Sequence, residues 1–359
     1  MPIAKTHMLT DGDEIVNKFK PWKIFLPIVI GLGVASYLLI SNFERSAYER
    51  IDWTVYTAMW IGIACLMMVV RDLSYMYRIN VLSDGKISIR RSFPVIMLWE
   101  FASAISPTMV GGTALAMFIL NRERLSMGRS IAVVLTTSLL DEIFFVLAVP
   151  LVFIFVGRSD LFISMDESVA INGSVGSVYY FFWLGYLFIL AYTLFVAYAL
   201  FINPRFVKWL LLRVFSIPLL RRWKQKAWST GEDMAIASKE IRGKSFGFWF
   251  KSFTATVLSW TARYMVINCI IMAFMSFTFY ENLVIYARQL VMWIILLVSP
   301  TPGGSGIAEV IFSRFLTEFS PEGLSDSLAL LWRLISYYPY LFLGAIILPR
   351  WLRRRKIRN

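Results

Sequence analysis

The 359-residue chain is 58% hydrophobic and 16% charged, with a mean hydropathy of +0.64. This excludes an ordinary soluble domain, in which about a quarter of residues carry charge. Lys and Arg number 36 against 23 Asp and Glu, a net charge of +13. The basic residues fall in loops between apolar runs, so an anionic leaflet is the expected partner and nucleic acid is not. The single histidine, His7, lies in a polar tail, and Cys65 and Cys269 lie inside apolar runs. A His-based metal site or triad is excluded, a disulfide framework is not expected, and neither is any cofactor or metal.

A bilayer core needs about 20 apolar residues per helix. The polar tail 1–21 precedes the first such run, Ile24–Ile40, which lacks the small-residue cleavage pattern of a signal peptide. The second is Trp53–Val70. The loop Arg71–Ser92 carries Arg71, Arg78, Lys86, Arg90 and Arg91 against Asp72 and Asp84 and reads as cytoplasmic. The next apolar stretch, Phe93–Leu120, is interrupted by Ser106-Pro107-Thr108 and the pair Gly111-Gly112. Arg122, Arg124 and Arg129 after it are again cytoplasmic. With both ends on one side, this stretch enters the membrane and returns. Ser130–Val156 spans outward to the acidic loop 157–177, and Val178–Ile202 spans back.

The segment 203–245 is basic and reads as cytoplasmic. Its first half, Pro204–Trp228, mixes basic and apolar residues. It is either an interfacial helix on the anionic leaflet or a packed connector. Phe246–Ser276 spans outward. Leu283–Phe315 is interrupted by Ser299-Pro300-Thr301-Pro302-Gly303-Gly304-Ser305-Gly306, and both its flanks read as external. Ser327–Leu348 returns to a basic tail, 350–359. The reading is an all-α polytopic membrane helix bundle: about six full spans plus two re-entrant broken hairpins, within one transmembrane domain over 22–349. Both termini are cytoplasmic, and the expected location is the cell's inner (plasma) membrane.

The two breaks share a Ser-Pro-Thr followed by a Gly-Gly pair, enter from opposite sides, and are each followed by a full span. That is the pattern of an inverted repeat, which in transporters places the substrate at mid-membrane between broken helices. The half-helices after Gly112 and Gly304 offer free N–H groups and a positive dipole end to an anion such as a lipid phosphate. Ionisable residues within apolar runs point to function. They are Glu100, Asp141, Glu142, Arg263, Arg288, Glu309, Arg314 and Arg333. Internal pairs, Asp141 with Arg263 or Glu309 with Arg333, would serve register alone. Together with Gly111, Gly112, Pro302, Gly303 and Gly304, the residues Asp141, Arg263, Arg288, Glu309 and Arg333 form the candidate substrate-binding set.

The stretch VSPTPGGSGIAEVIF, Val298–Phe312, resembles the signature of the flippase-like membrane region of lysylphosphatidylglycerol synthases and their stand-alone relatives. Ile119–Phe144 and Leu330–Leu348 are similar to the same family. The resemblance covers most of the chain from Trp22. It implies a bundle with two re-entrant helices that moves an amphiphilic lipid between leaflets, and it singles out Pro302, Gly303, Gly304, Glu309 and Arg333. At the first break the family's glutamate is missing, and the chain has Gly112-Thr113 there. The expected activity is translocation of an anionic or aminoacylated lipid, not enzyme catalysis. A membrane enzyme acting on lipid-linked substrates and a membrane partner of a separate lipid synthase are the alternatives. A homo-oligomer is left open.

Overall fold

The computed structural model describes residues 53–105, 109–123, 125–162, 169–171, 174–176, 178–214, 216, 224–297 and 307–353. Helix α1, Val55–Leu82, starts where the Thr54 hydroxyl accepts the Thr57 N–H, an N-cap that satisfies one otherwise unpaired donor. It ends at Ser83-Asp84-Gly85, where Asp84 and Gly85 adopt φ of 54° and 72°. Asp and Gly are the residues that enter this left-handed region most readily. The helix thus runs twelve residues beyond Val70, the expected end of the span. Arg71 and Arg78, counted as loop charges from the sequence, are buried inside the bundle. A span predicted from hydropathy stops at the first charge, whereas a helix continues while its charges find partners. Lys86, Arg90 and Arg91 remain exposed in and after the turn.

Helices α2, Ile89–Ile105, and α3, Met109–Arg122, form the first hairpin. A Cβ on Gly112 would lie 2.9 Å from the Ser103 Cα, so only glycine permits this approach of the two arms. The C-terminus of α3 meets that of the last helix: Arg122 donates to the Leu352 carbonyl at 3.2 Å, and the Trp351 indole donates to Glu123 at 2.7 Å. Helix α4, Met127–Phe155, is capped by Ser126. Its Arg129 reaches Asp84 at 2.5 Å and Glu240 at 2.6 Å. The start of α2 and the end of α3 therefore share one basic face of the bundle.

Beyond α4 come a short helix, α5 (Gly157–Phe162), and a small antiparallel hairpin of β1 (Val169–Ile171) and β2 (Ser174–Gly176), which pairs Ala170 with Val175. Helix α6, Val178–Ala197, continues through a π turn to Ile202. The segment 203–245 folds as α7, Pro204–Val214, and α8, Lys224–Arg242, tied by the Lys208–Glu232 ion pair. Ala237 and Ile241 of α8 pack on Ala132 of α4, so the second half of the segment is a packed connector. On α7, Trp209 is exposed.

Helix α9, Phe246–Met272, packs along α1 in the longest seam among the described residues. Helix α10, Phe279–Leu296, begins with a capping box formed by Thr278 and Glu281. Helix α11, Ile307–Leu316, ends in a 3-10 turn, Thr317–Phe319. Phe277, just before α10, touches Phe319, just after α11, with ring centroids 5.6 Å apart. Tyr280 donates to Asp160 at 2.5 Å. Both ends of this second hairpin thus lie at the face opposite the basic one, so the two hairpins enter from opposite faces. Their turns, 106–108 and 298–306, lie outside the described residues.

The last span is two helices, α12 (Ser325–Ser336) and α13 (Tyr338–Arg353). The break at Tyr337 lies two residues before Pro339, which has no N–H to continue the helix ladder onto the preceding turn and instead stands in the first turn of α13. Helix α13 takes in Arg350 and Arg353, which the sequence reading assigned to the tail. Gly344 lets α13 press onto α2, since a Cβ there would sit 2.3 Å from the Phe101 Cβ.

Among the described residues five candidate spans are long and apolar enough to cross a membrane: Val55–Leu82, Met127–Phe155, Phe182–Ile202, Phe246–Met272 and Ser325–Leu352. The sixth expected span, Ile24–Ile40, lies outside them. The bundle exposes Leu66, Leu73, Leu151, Ile154, Leu187 and Phe188, as a lipid-facing surface requires.

Candidate functional site

A chain of ionisable side chains crosses the interior at mid-depth. It starts on α1, where Arg71, Tyr75 and Arg78, at i, i+4 and i+7, share one face. Arg71 lies eleven residues before Leu82, about 16 Å of helix rise, close to half the ~30 Å apolar thickness of a bilayer. Its guanidinium is fully buried. It pairs with Asp72 at 2.9 Å and with Glu100 of α2 at 2.6 Å. The Tyr340 hydroxyl of α13 donates to both Asp72 oxygens at 2.9 and 3.0 Å. The Tyr75 ring lies between the Arg71 and Arg78 guanidinium groups, each 4.7 Å from its centroid, and so helps keep the two cations in register.

Arg78 closes the other end. It grips Asp141 of α4 with both terminal nitrogens, at 2.5 and 3.2 Å, and donates to Thr256 of α9 at 2.8 Å. The Trp260 indole adds a bond to Asp141 at 2.8 Å. Sequence reasoning paired Asp141 with Arg263; the structure gives it Arg78 instead, because α1 continues past Val70 and carries Arg78 to it. Arg263 sits over the Trp260 ring at 5.4 Å, near enough to Glu100 for their charges to interact. Three arginines thus face three carboxylates, Asp72, Glu100 and Asp141. The paired cations lie beneath, with side chains 0% and 3% exposed at Arg71 and Arg78, whereas the three carboxylates are 20–24% exposed. Around Arg71 and Arg78 the accessible side is therefore negative over a positive floor, with the half-buried Arg263 beside it.

Arg333 lies where the two hairpins meet. It is buried on α12, with its guanidinium 3.8 Å from the Tyr337 ring centroid. Tyr337 donates to the Ala104 carbonyl at the tip of α2, at 3.1 Å, and neighbouring Trp332 stacks on Phe312 of α11. The break in the last span thus ties the tip of the first hairpin to the second. Tyr340 stands one turn further on and joins this junction to the cluster.

Of the candidate set, Asp141 and Arg263 are in the cluster and Arg333 is beside it. Gly112 is the hairpin contact described above. Gly111 lies in α3 and Glu309 in α11, and the side-chain surroundings of both are outside the described residues, as are Pro302, Gly303 and Gly304. Arg288 stands apart. It clamps the outer end of the second hairpin, donating to the carbonyls of Asp160 and Phe315 at 2.8 Å each and pairing with Glu318 at 2.6 Å. The sequence reading missed Arg71, Asp72, Tyr75, Arg78 and Tyr340 as site residues. The i, i+4, i+7 spacing on α1 was the available signal, hidden by ending the span at Val70.

The family model described as the lysylphosphatidylglycerol synthase TM region matches residues 24–344. The chain is 26% identical over 309 residues to a UPF0104 membrane protein of Archaeoglobus fulgidus, covering 85% of this chain and 89% of that protein. No solved structure matches the chain.

Proposed function

The chain belongs to the lysylphosphatidylglycerol synthase TM-region family, and from that premise we propose that it is a lipid translocase, carrying a headgroup between leaflets past the Arg71–Asp141 cluster. The observation that supports this reading is the cluster itself: charged side chains at mid-depth, with partly accessible carboxylates over buried arginines. Such groups are costly in a membrane and usually mark a substrate path. Entry of the two hairpins from opposite faces fits an inverted repeat with its site between them. With the basic face cytoplasmic, both termini lie inside the cell.

The charge order selects the headgroup. A cationic amine fits the accessible carboxylates, and a phosphate fits Arg263, which has no ion-pair partner among the described residues. Arginine's planar fork suits phosphate oxygens. Of the anionic and aminoacylated lipids expected, this favours one bearing both phosphate and amine.

The test is translocation of fluorescent phosphatidylglycerol and its aminoacylated form in proteoliposomes, at equal protein content. Wild type is expected to move the aminoacylated lipid faster. Glu100→Gln, Arg263→Gln and Arg333→Ala, with folding checked by circular dichroism, are expected to slow it at least tenfold. A wild-type protein that moves neither lipid would sink the proposal.

A further inference from the structure

Asp141 and Glu142 stand side by side near the middle of α4 and have opposite fates. Successive residues point about 100° apart around a helix. Asp141 faces α1 and α9 and receives Arg78 and the Trp260 indole. Glu142 points elsewhere. It is 8% exposed, and its Oε2 has no hydrogen-bond partner. The ionisable groups within electrostatic range are Asp141 on the same helix, Tyr192 on α6 and Tyr264 on α9. Among the described residues no Lys or Arg pairs with it, and the Arg78 guanidinium beside Asp141 is taken by that residue.

An ionised carboxylate buried without a cation or donors, beside a second negative charge, is far costlier than its neutral acid. In a spanning helix water cannot offset that cost. We infer that Glu142 is a proton-binding site, occupied at neutral pH, set beside the Arg78–Asp141 pair. The proton exchanges with bulk water. Its release leaves a second anion next to Asp141 on the same helix. This inference does not depend on which lipid, if any, the chain moves.

Infrared spectroscopy of the purified full chain in detergent at neutral pH tests it. A protonated carboxylic acid has a carbonyl stretch well above the carboxylate bands. Wild type is expected to show this band, Asp141→Asn to keep it, Glu142→Asp to shift it, and Glu142→Gln to lose its contribution entirely. Identical wild-type and Glu142→Gln spectra in that region would overturn the inference. So would a Glu142→Gln protein that fails to fold, because the amide mimics the neutral acid.

Discussion

Glu100→Gln tests whether the mid-depth cluster is held by charge. Arg71 has two carboxylate partners, Glu100 at 2.6 Å and Asp72 at 2.9 Å, and none of its side chain is exposed. Removing the sole partner of a buried charge costs about 3–5 kcal/mol. Here Asp72 stays and Gln keeps an acceptor, so roughly half that, about 2 kcal/mol, is expected. Arg71→Met is expected to cost more, because it leaves Asp72 and Glu100 facing each other without their shared ion-pair partner. The assay is denaturation in mixed detergent micelles followed by tryptophan fluorescence, with the double variant completing a cycle. Groups in direct contact are expected to show coupling of about 0.5–3 kcal/mol. If the two single effects add within about 0.3 kcal/mol, the side chains are not paired and the account of the cluster fails.

Gly344→Ala places a methyl 2.3 Å from the Phe101 Cβ; forced overpacking of this kind costs about 1–3 kcal/mol, read as a lowered denaturation midpoint. Arg288→Ala leaves two carbonyls and Glu318 without their donor, a loss of about 1.5–3 kcal/mol, and protease is expected to cut faster between Ser320 and Leu324. Arg288→Lys is not expected to restore protection, since one ammonium cannot reproduce the three-way fork. At the start of α10, the Thr278 backbone N–H donates to Glu281 and holds its carboxyl below the ordinary value. A carboxyl lowered by folding adds stability that is fully present above its unfolded pKa of about 4.3 and is lost as pH falls through the folded value. Backbone resonances of this turn are expected to report fraying in acid, and Glu281→Gln to abolish that pH dependence.

Hydropathy made the bundle legible because each span is an apolar run bounded by charged loops. The entry of the two hairpins from opposite faces was legible because the loops on both sides of each broken run carry the same sign. The cluster was not, for a physical reason. Hydropathy treats Arg71 and Arg78 as water-facing, while a buried guanidinium is stable once Glu100 and Asp141 arrive from helices distant in sequence. Asp141 was found because it stands, with Glu142, in an otherwise apolar run, but nothing local shows which arginine reaches it. The break at Tyr337 precedes Pro339 in the sequence, yet its role, linking Arg333 to Ala104, depends on the packing of α13 on α2. Arg288 looked like a site residue for the same reason as Asp141; only its distribution over three partners marks it as a clamp.

A last prediction separates structure from function in the cluster. Replacing a complete buried ion-pair group by neutral residues of similar size is often neutral or stabilising, whereas removing one member is not. Stability alone therefore does not account for Arg71, Asp72 and Glu100. The triple variant Arg71→Met, Asp72→Asn, Glu100→Gln removes the Arg71 ion-pair group whole, and the amide that replaces the Asp72 carboxylate can still accept from Tyr340. It is expected to unfold within about 1 kcal/mol of wild type, closer than Glu100→Gln alone. Under the translocase reading it should still move no lipid. In that reading the carboxylates balance the charge of the arginines while the site is empty, and an arriving headgroup would exchange with them, its amine meeting Glu100 and Asp72 as its phosphate takes a guanidinium. Without Asp72 and Glu100 the amine has no carboxylate to meet beside Arg263. A triple variant that folds and moves lipid at the wild-type rate would place the path elsewhere in the bundle. One that unfolds more readily than Glu100→Gln would make the cluster a packing device first.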